Sequence, residues 1–398
     1  MKRKSLLVIL SIICLLAGCM SVEVSQNDLT GMDSVLEQLS AEEPGKLPEH
    51  ISETLEEDII VDADVCYAQS LEEYKVNTFT LKRHLFDVDQ VVEFWKNYEG
   101  EKTVVEGEKT VANDVLEDGK ERMAWNVVYS DGTECSTREM HFFYRNEYLE
   151  KDHNVIMYAS ELDTRNLKYT SKKDLDFKSM ESVEEEAKSI VNRFGITDIM
   201  EPCVKYSVSM EDLQNVFDSY GDQISNKMKE WGFEEEDKII DQNDEMYRFA
   251  FYQGYYGIPL IQYPVAGENT GTFYSEFIDP IALSYGRQGM ASFSVGHVYD
   301  FHEEKDKIDI LLLSQIFEKF YNKIKMSDLR GPEHRFIIKK ISLQYLPKVE
   351  NPEELLFRVT PVWCVQYVLE ETQNGREAAN RAVVYDAVTG AEYEGDFL

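Results

Sequence analysis

Positive charge is scarce in this chain. Its 398 residues carry 41 lysines and arginines against 75 aspartates and glutamates, a formal net charge of −34. Such a surface repels phosphate backbones and anionic headgroups, which argues against a nucleic-acid partner. Histidine is thin as well, with seven scattered copies. His302-Glu303-Glu304 lacks the second histidine of H-E-x-x-H. His297 and His302 stand an odd number of residues apart, which puts strand side chains on opposite faces. No metal or other cofactor is therefore expected. G-x-S-x-G and S-x-x-K are absent, and the glycine-rich stretch 267–272 lacks the lysine of a phosphate loop. Asp241-Gln242-Asn243-Asp244-Glu245 alternates oxygen ligands. It has Met246 where a calcium loop needs glycine and Tyr252 where it needs glutamate, so it reads as a solvated acidic loop. With no catalytic motif, the chain is read as non-enzymatic; an envelope hydrolase with an unrecognised acidic pair ranks last.

Cysteine is sparse too: six, with no C-x-x-C. That argues against a thioredoxin-type site or a zinc knuckle. After Cys14 and Cys19, there remain Cys66, Cys135, Cys203 and Cys364, each alone in a strand-like stretch. Buried free thiols fit these settings better than bridges, although four cysteines allow three pairings.

The one long apolar run comes at the start. Lys2, Arg3 and Lys4 precede an apolar stretch over 6–16, which ends in Leu16-Ala17-Gly18-Cys19. A basic start, a short apolar middle and small residues at a cleavage point make a secretory signal. The run is shorter than the roughly 20 residues a spanning helix needs. Leu16-Ala17-Gly18-Cys19 resembles the lipobox of bacterial lipoproteins. The resemblance implies cleavage between Gly18 and Cys19 and a diacylglycerol on the Cys19 thiol. Two acyl chains suffice for stable anchoring. The membrane is thus an expected partner, through Cys19, on the extracytoplasmic face. Removing residues 1–18, with three positive charges and no negative one, takes the net charge from −34 to −37.

Periodicity predicts an α+β chain of two or three units, each an antiparallel sheet with a helix packed on one face. Residues 1–18 are the signal and 19–48 a polar tether. The expected domains are 49–175, 176–305 and 306–398. Strands are expected over 59–65, 74–81, 123–129, 138–144 and 154–158, with a hairpin turn at Asp131-Gly132. Asp87 is placed as the N-cap of a helix burying Val88, Val91, Val92 and Trp95. The hexapeptide EGEKTV occurs twice, over 99–104 and 106–111, a local duplication too short for a solenoid. In the second unit, Ser182-Val183-Glu184-Glu185 reads as a capping box, 204–208 as a strand, and Ser209 as the cap of a helix to about 231. Strands are expected across 273–301. The third unit has a helix over 310–324, strands over 336–346 and 357–369, and a turn where Asp386 bonds the backbone ahead of Gly390.

That ending carries a second resemblance. The helix, Ile341-Ser342-Leu343-Gln344-Tyr345, Thr360-Pro361-Val362-Trp363 and Asp386-Ala387-Val388-Thr389-Gly390 resemble PepSY-like domains. They are similar in particular to extracytoplasmic accessory regulators of the cell-wall histidine kinase of Gram-positive bacteria. The resemblance covers roughly the last 90 residues and implies a PepSY/cystatin-like fold and a protein partner. Those regulators keep a transmembrane helix, whereas this chain has a lipobox, so an intramembrane contact is not carried over. The whole chain also resembles uncharacterised lipoproteins of Gram-positive gut anaerobes.

The densest aromatic stretch is Tyr247, Phe249, Phe251, Tyr252, Tyr255 and Tyr256, with Tyr263 beyond. Alternation puts Tyr247, Phe249 and Phe251 on one face. Exposed, they would stack on sugars or peptide; covered, they would be core. The expected function is a lipid-anchored binding or regulatory module that contacts a membrane or secreted protein. A carbohydrate- or peptide-binding lipoprotein using the aromatic stretch is the alternative.

Overall fold

The computed structural model describes residues 31–41, 43–67, 71, 73–112, 118–146, 171–202, 204–230, 241–261, 281–296, 298–371 and 376–393. The signal, Gly18, Cys19, Tyr263, the expected strand over 154–158 and the stretch 267–272 lie outside them. So do Cys203, His297 and the start of the strands expected across 273–301.

Two antiparallel-rich sheets carry five α-helices among the described residues, so the fold is α+β. Helix α1 (Gly31–Leu39) leads into strands β1 (His50–Glu56), β2 (Ile59–Cys66) and β3 (Lys75–Arg83). Helix α2 (Val88–Asn97) precedes β4 (Val104–Ala112), β5 (Arg122–Tyr129), β6 (Thr133–Arg138) and β7 (His141–Asn146). Next come α3 (Met180–Arg193), β8 (Val204–Val208), α4 (Met210–Glu230), β9 (Met246–Phe251), β10 (Gly254–Tyr255) and β11 (Ile258–Pro259). The chain continues through β12 (Ile281–Gly286), β13 (Gly289–Gly296), β14 (Tyr299–Asp309) and α5 (Leu313–Lys325). Strands β15 (His334–Asn351), β16 (Leu356–Glu371) and β17 (Arg376–Asp386) complete it.

The seven-stranded sheet runs β1-β2-β15-β16-β3-β14, with β17 also on β16. Strand β16 is long enough to share one side, meeting β3 over 356–358 and β17 over 362–371. Strands β2 and β15 pair in parallel. The eight-stranded sheet runs β4-β5-β6-β7-β13-β12-β9-β8. The expected units 49–175, 176–305 and 306–398 therefore do not map onto the sheets. Strands β1–β3 of the first share a sheet with β15–β17 of the third, and the boundary at 305 falls inside β14. Periodicity marks a strand but not its distant partner.

Local signals were mostly sufficient for the elements themselves. The Asp87 carboxylate accepts the Asp89 and Gln90 N–H groups at 2.9 and 3.1 Å, capping α2. Ser209 Oγ accepts Asp212 N–H at 3.2 Å before α4, which kinks at Tyr220. Asp386 Oδ1 accepts from Val388 and Thr389 at 2.9 and 2.8 Å, and Gly390 takes φ 68°, where a side chain would be strained. Two details differ. Helix α3 starts earlier, on Ser179, whose Oγ accepts Ser182 N–H at 3.2 Å. The expected strand over 138–144 is two strands, β6 and β7, with a turn at 139–140.

Each sheet packs one face against helices and buries part of the other: Leu346, Val362, Cys364 and Val384 on the seven-stranded sheet, and Val208 and Met246 with Leu213 of α4 on the eight-stranded one, are at most 2% exposed. Val35 and Leu39 of α1 and Leu313, Ile316, Phe317 and Phe320 of α5 pack on the seven-stranded sheet. Val91, Val92 and Trp95 of α2, with Val183, Ala187 and Ile190 of α3, pack on the eight-stranded one. Trp95 stacks on Tyr144 at 4.0 Å between ring centres, 9° from parallel. Full burial of one such side chain is worth about 1.5–3 kcal/mol. The hairpin β10–β11 turns at Tyr256-Gly257, both at positive φ. It carries Tyr255, Ile258 and Leu260 into the first core and so ties the two sheets together.

Candidate functional site

Cross-strand register sorts the eight-stranded sheet into two faces, because directly opposed residues share a side. The row Gly107, Val127, Cys135, Tyr144, Phe293, Leu283 and Phe249 faces the helices. The adjacent rows lie on the opposite face, open toward β4 and buried at Ala282 and Ser284 on β12. One runs Glu108, Asn126, Ser136, Phe143, Ser294 and Ala282; the other runs Glu106, Val128, Glu134, Arg145, Ser292, Ser284 and Arg248.

At the β4 end these outer rows line an open depression of about 750 Å³. Its floor is prearranged by short hydrogen bonds. Ser136 Oγ donates to Asn126 Oδ1 at 2.6 Å, and Arg145 donates from Nε and Nη2 to Glu134 Oε2, both at 2.6 Å. Phe143, half-buried, supplies an apolar patch between them. Glu106 and Glu108 stand exposed at the rim, and neither has an ion-pair partner among the described residues. The arrangement has donors, acceptors, an aromatic ring and spare negative charge. It has no nucleophile–base pair, and among the described residues no cluster of three His, Cys, Asp or Glu could hold a metal.

The aromatic stretch expected as a binding platform is placed elsewhere. Tyr247, Phe249 and Phe251 are at most 1% exposed, inside the core under α3. Tyr247 Oη donates to the Lys178 carbonyl at 2.6 Å. Tyr255 lies buried in the other core, 4.9 Å from the Phe79 ring. Tyr252 is half-buried, and only Tyr256, at the β10–β11 turn, is open. Tyr247, Phe249, Phe251 and Tyr255 serve two cores, and the six residues form no shared platform. The acidic loop at 241–245 is likewise internal in its bonding. Asp241 accepts Asn243 N–H at 2.7 Å, Asp244 accepts Asp241 N–H at 2.9 Å, and Glu245 pairs with Arg287 at 2.7 Å. His302 lies exposed on β14 beside Thr80.

A titratable cluster between α2 and α3 has no sequence signature. Tyr98 Oη and Lys178 Nζ both donate to the Glu186 carboxylate, and Lys178 also reaches Tyr285 Oη at 3.0 Å. Burial, then the charge of Glu186, holds the Glu99 carboxyl above its usual range. Gln90, Phe94, Tyr98 and Arg193 line a shallow space of about 540 Å³ alongside. Glu186 is already engaged from both sides, so the cluster acts as a strut joining two helices to the sheet. Cys66, Cys135 and Cys364 are free thiols; burial pushes Cys135 and Cys364 up to about 12. Among the described residues no helix is long and apolar enough to cross a membrane.

No family model matches the chain, and a search of curated proteins gives no match. Among solved structures, the fold is similar to the crystal structure of an uncharacterized protein from Eubacterium rectale ATCC 33656. The TM-score is 0.64 at 20% identity, covering 93% of this chain and all of that one. At that identity the likeness is one of fold alone.

Proposed function

We propose that this chain is a lipid-anchored extracytoplasmic binding protein, held at the membrane through Cys19 and acting by contact with another protein rather than by catalysis. The observation that supports it best is the outward face of the eight-stranded sheet. Its β4 end is prearranged by the Asn126–Ser136 and Glu134–Arg145 bonds and open to solvent, and it carries Glu106 and Glu108, exposed and without an ion-pair partner among the described residues. Fixed polar groups around an aromatic ring suit recognition, since little side-chain entropy is left to lose. The lipobox-like Leu16-Ala17-Gly18-Cys19 supports anchoring, and a Gram-positive membrane is the favoured setting. The order α5, β15, β16, β17 and the Asp386 turn support a PepSY/cystatin-like reading of the C-terminal part, with a regulatory role on a membrane or secreted protein.

The same depression favours one second reading. Phe143 flanked by Asn126, Ser136 and Arg145 is also what a sugar or short-peptide site needs. Chemical crosslinking of the full-length lipoprotein in native envelopes separates the two. Recovery of one stoichiometric protein is the expected result. Recovery of wall material alone, together with a tryptophan fluorescence response to one glycan of a panel, would replace it with the second reading.

A further inference from the structure

A sheet edge is a row of unpaired N–H and C=O groups, and folded proteins guard such rows. Among the described residues, the edges of the two large sheets are guarded at β1, β14 and β8 and at the end of β17. Strand β1 breaks register between Thr54 and Glu56, and the start of α1 lies against the Thr54 carbonyl. Strand β14 breaks register twice and is loaded with charges of both signs. Strand β8 is closed by Ser171, which exchanges two backbone bonds with Ser207 at 2.9 and 2.6 Å. The end of β17 is folded over by 391–393, with Asp386 N–H on the Ala391 carbonyl at 2.8 Å and Tyr393 N–H on the Val384 carbonyl at 2.9 Å.

Strand β4 differs. It breaks register once, between Val104 and Glu106, then pairs with β5 without a break to Ala112, and among the described residues nothing pairs with its other side or packs against it as α1 does on β1. Val105 and Val111 are 58% and 50% exposed. Its one cation, Lys109, does not guard the rim, because it lies 4.2 Å from the Trp125 ring centre and pairs with Asp89. Its anions, Glu106 and Glu108, share the outer face and have no ion-pair partner among the described residues.

We propose that an extended, basic segment of a partner protein adds to β4 as a ninth strand of this sheet. The inference rests on the binding reading above and names its mode. Alternation divides the segment's side chains between two faces. Lysine or arginine on one face meets Glu106 and Glu108 at the rim of the depression. Apolar residues on the other cover Gly107 and Val111. A second copy of this chain fits poorly, because two such strands in one continuous sheet would bring Glu106 and Glu108 of each copy together, on strongly acidic bodies.

The test uses the full-length protein in detergent and three probes: short peptides alternating Lys with Val, Glu with Val, and Lys with Gly. Binding is measured by titration and amide exchange. The Lys–Val peptide is expected to bind best and to slow exchange at 105–111, leaving 303–309 on the acidic edge β14 unchanged. E106K/E108K, at two exposed positions, is expected to weaken it about tenfold, the sum of two solvent-exposed ion pairs. Equal protection of β14, or equal binding of the Glu–Val peptide, would overturn the proposal as mere attraction to an acidic body. Absence of protection at 105–111 would overturn strand addition. A partner crosslinked elsewhere in envelopes would still leave the binding reading standing, so the two fail separately.

Discussion

Arg330 is the place to test how the two ends of the chain are locked together. It lies between α5 and β15 and reaches the β1–β2 hairpin. Its Nε and Nη2 donate to Asp58 at 2.8 and 2.6 Å, and Nη2 also donates to Glu56 at 2.6 Å. Tyr321 Oη donates to the other oxygen of Glu56 at 2.6 Å. The three charged side chains are 24%, 17% and 29% exposed, so solvent screens them only in part. Arg330→Met keeps the stem and removes the charge. Charge-assisted bonds are worth about 1.5–3 kcal/mol each. Discounting for partial exposure leaves a cost of about 2 kcal/mol at pH 7. The pH dependence has a definite sign. The Tyr321 and Arg330 bonds hold Glu56 below its usual range, and the Arg330 bond does the same for Asp58. Stability from depressed carboxyls is fully present above their unfolded values, about pH 4, and is lost as pH falls through the folded ones. Urea titrations of both proteins should show the gap at pH 7 and its narrowing as pH falls below about 4. A gap below about 0.5 kcal/mol at pH 7, or one that persists undiminished at pH 3, would refute the reasoning.

Two further outcomes follow from individual side chains. By proton NMR, His50 should titrate above the ordinary histidine value of 6.5, because Asp64 and then Asp62 stabilise its cation; His141 should titrate near 4, because burial and Arg138 disfavour its cation. On the His141 account alone, stability is complete above pH 6.5 and declines as pH falls toward 4, and coincident titration of both rings would contradict these placements. Alkylation followed by peptide mapping should leave Cys135 and Cys364 unmodified in the folded protein and modify them in urea, since both thiols are buried and held protonated; rapid native labelling of either would place it outside the core.

What could be seen in the sequence was local. Asp87, Ser209 and the Asp386–Gly390 turn are caps and turns decided within a few residues, and the structure has them where their side chains demand. The alternation of Tyr247, Phe249 and Phe251 correctly put them on one face. It carried no information about what covers that face, and α3, from a different stretch of chain, does. The turn at 139–140 carries neither glycine nor proline, so 138–144 read as one strand. Ser182 offers a more conspicuous capping pattern in sequence than Ser179, the residue that caps α3. The partnership of β2 with β15 spans most of the chain, and no local pattern encodes it. The candidate site was half visible: EGEKTV over 106–111 supplies β4 and its two exposed carboxylates, but only the register onto Asn126, Ser136 and Phe143 turns that repeat into a rim. The contacts of Tyr98, Lys178 and Glu186 join residues with no common motif.

The central claim is that the β4 end of the eight-stranded sheet meets another protein outside the membrane. The most direct measurement puts a photocrosslinking residue at Val105 of the full-length lipoprotein in native envelopes, with the same residue at Lys305 on β14 as comparison. The account predicts a single protein joined stoichiometrically from position 105, not from 305, and lost with E106K/E108K. Crosslinks from both positions alike, or none to protein from 105, would contradict it.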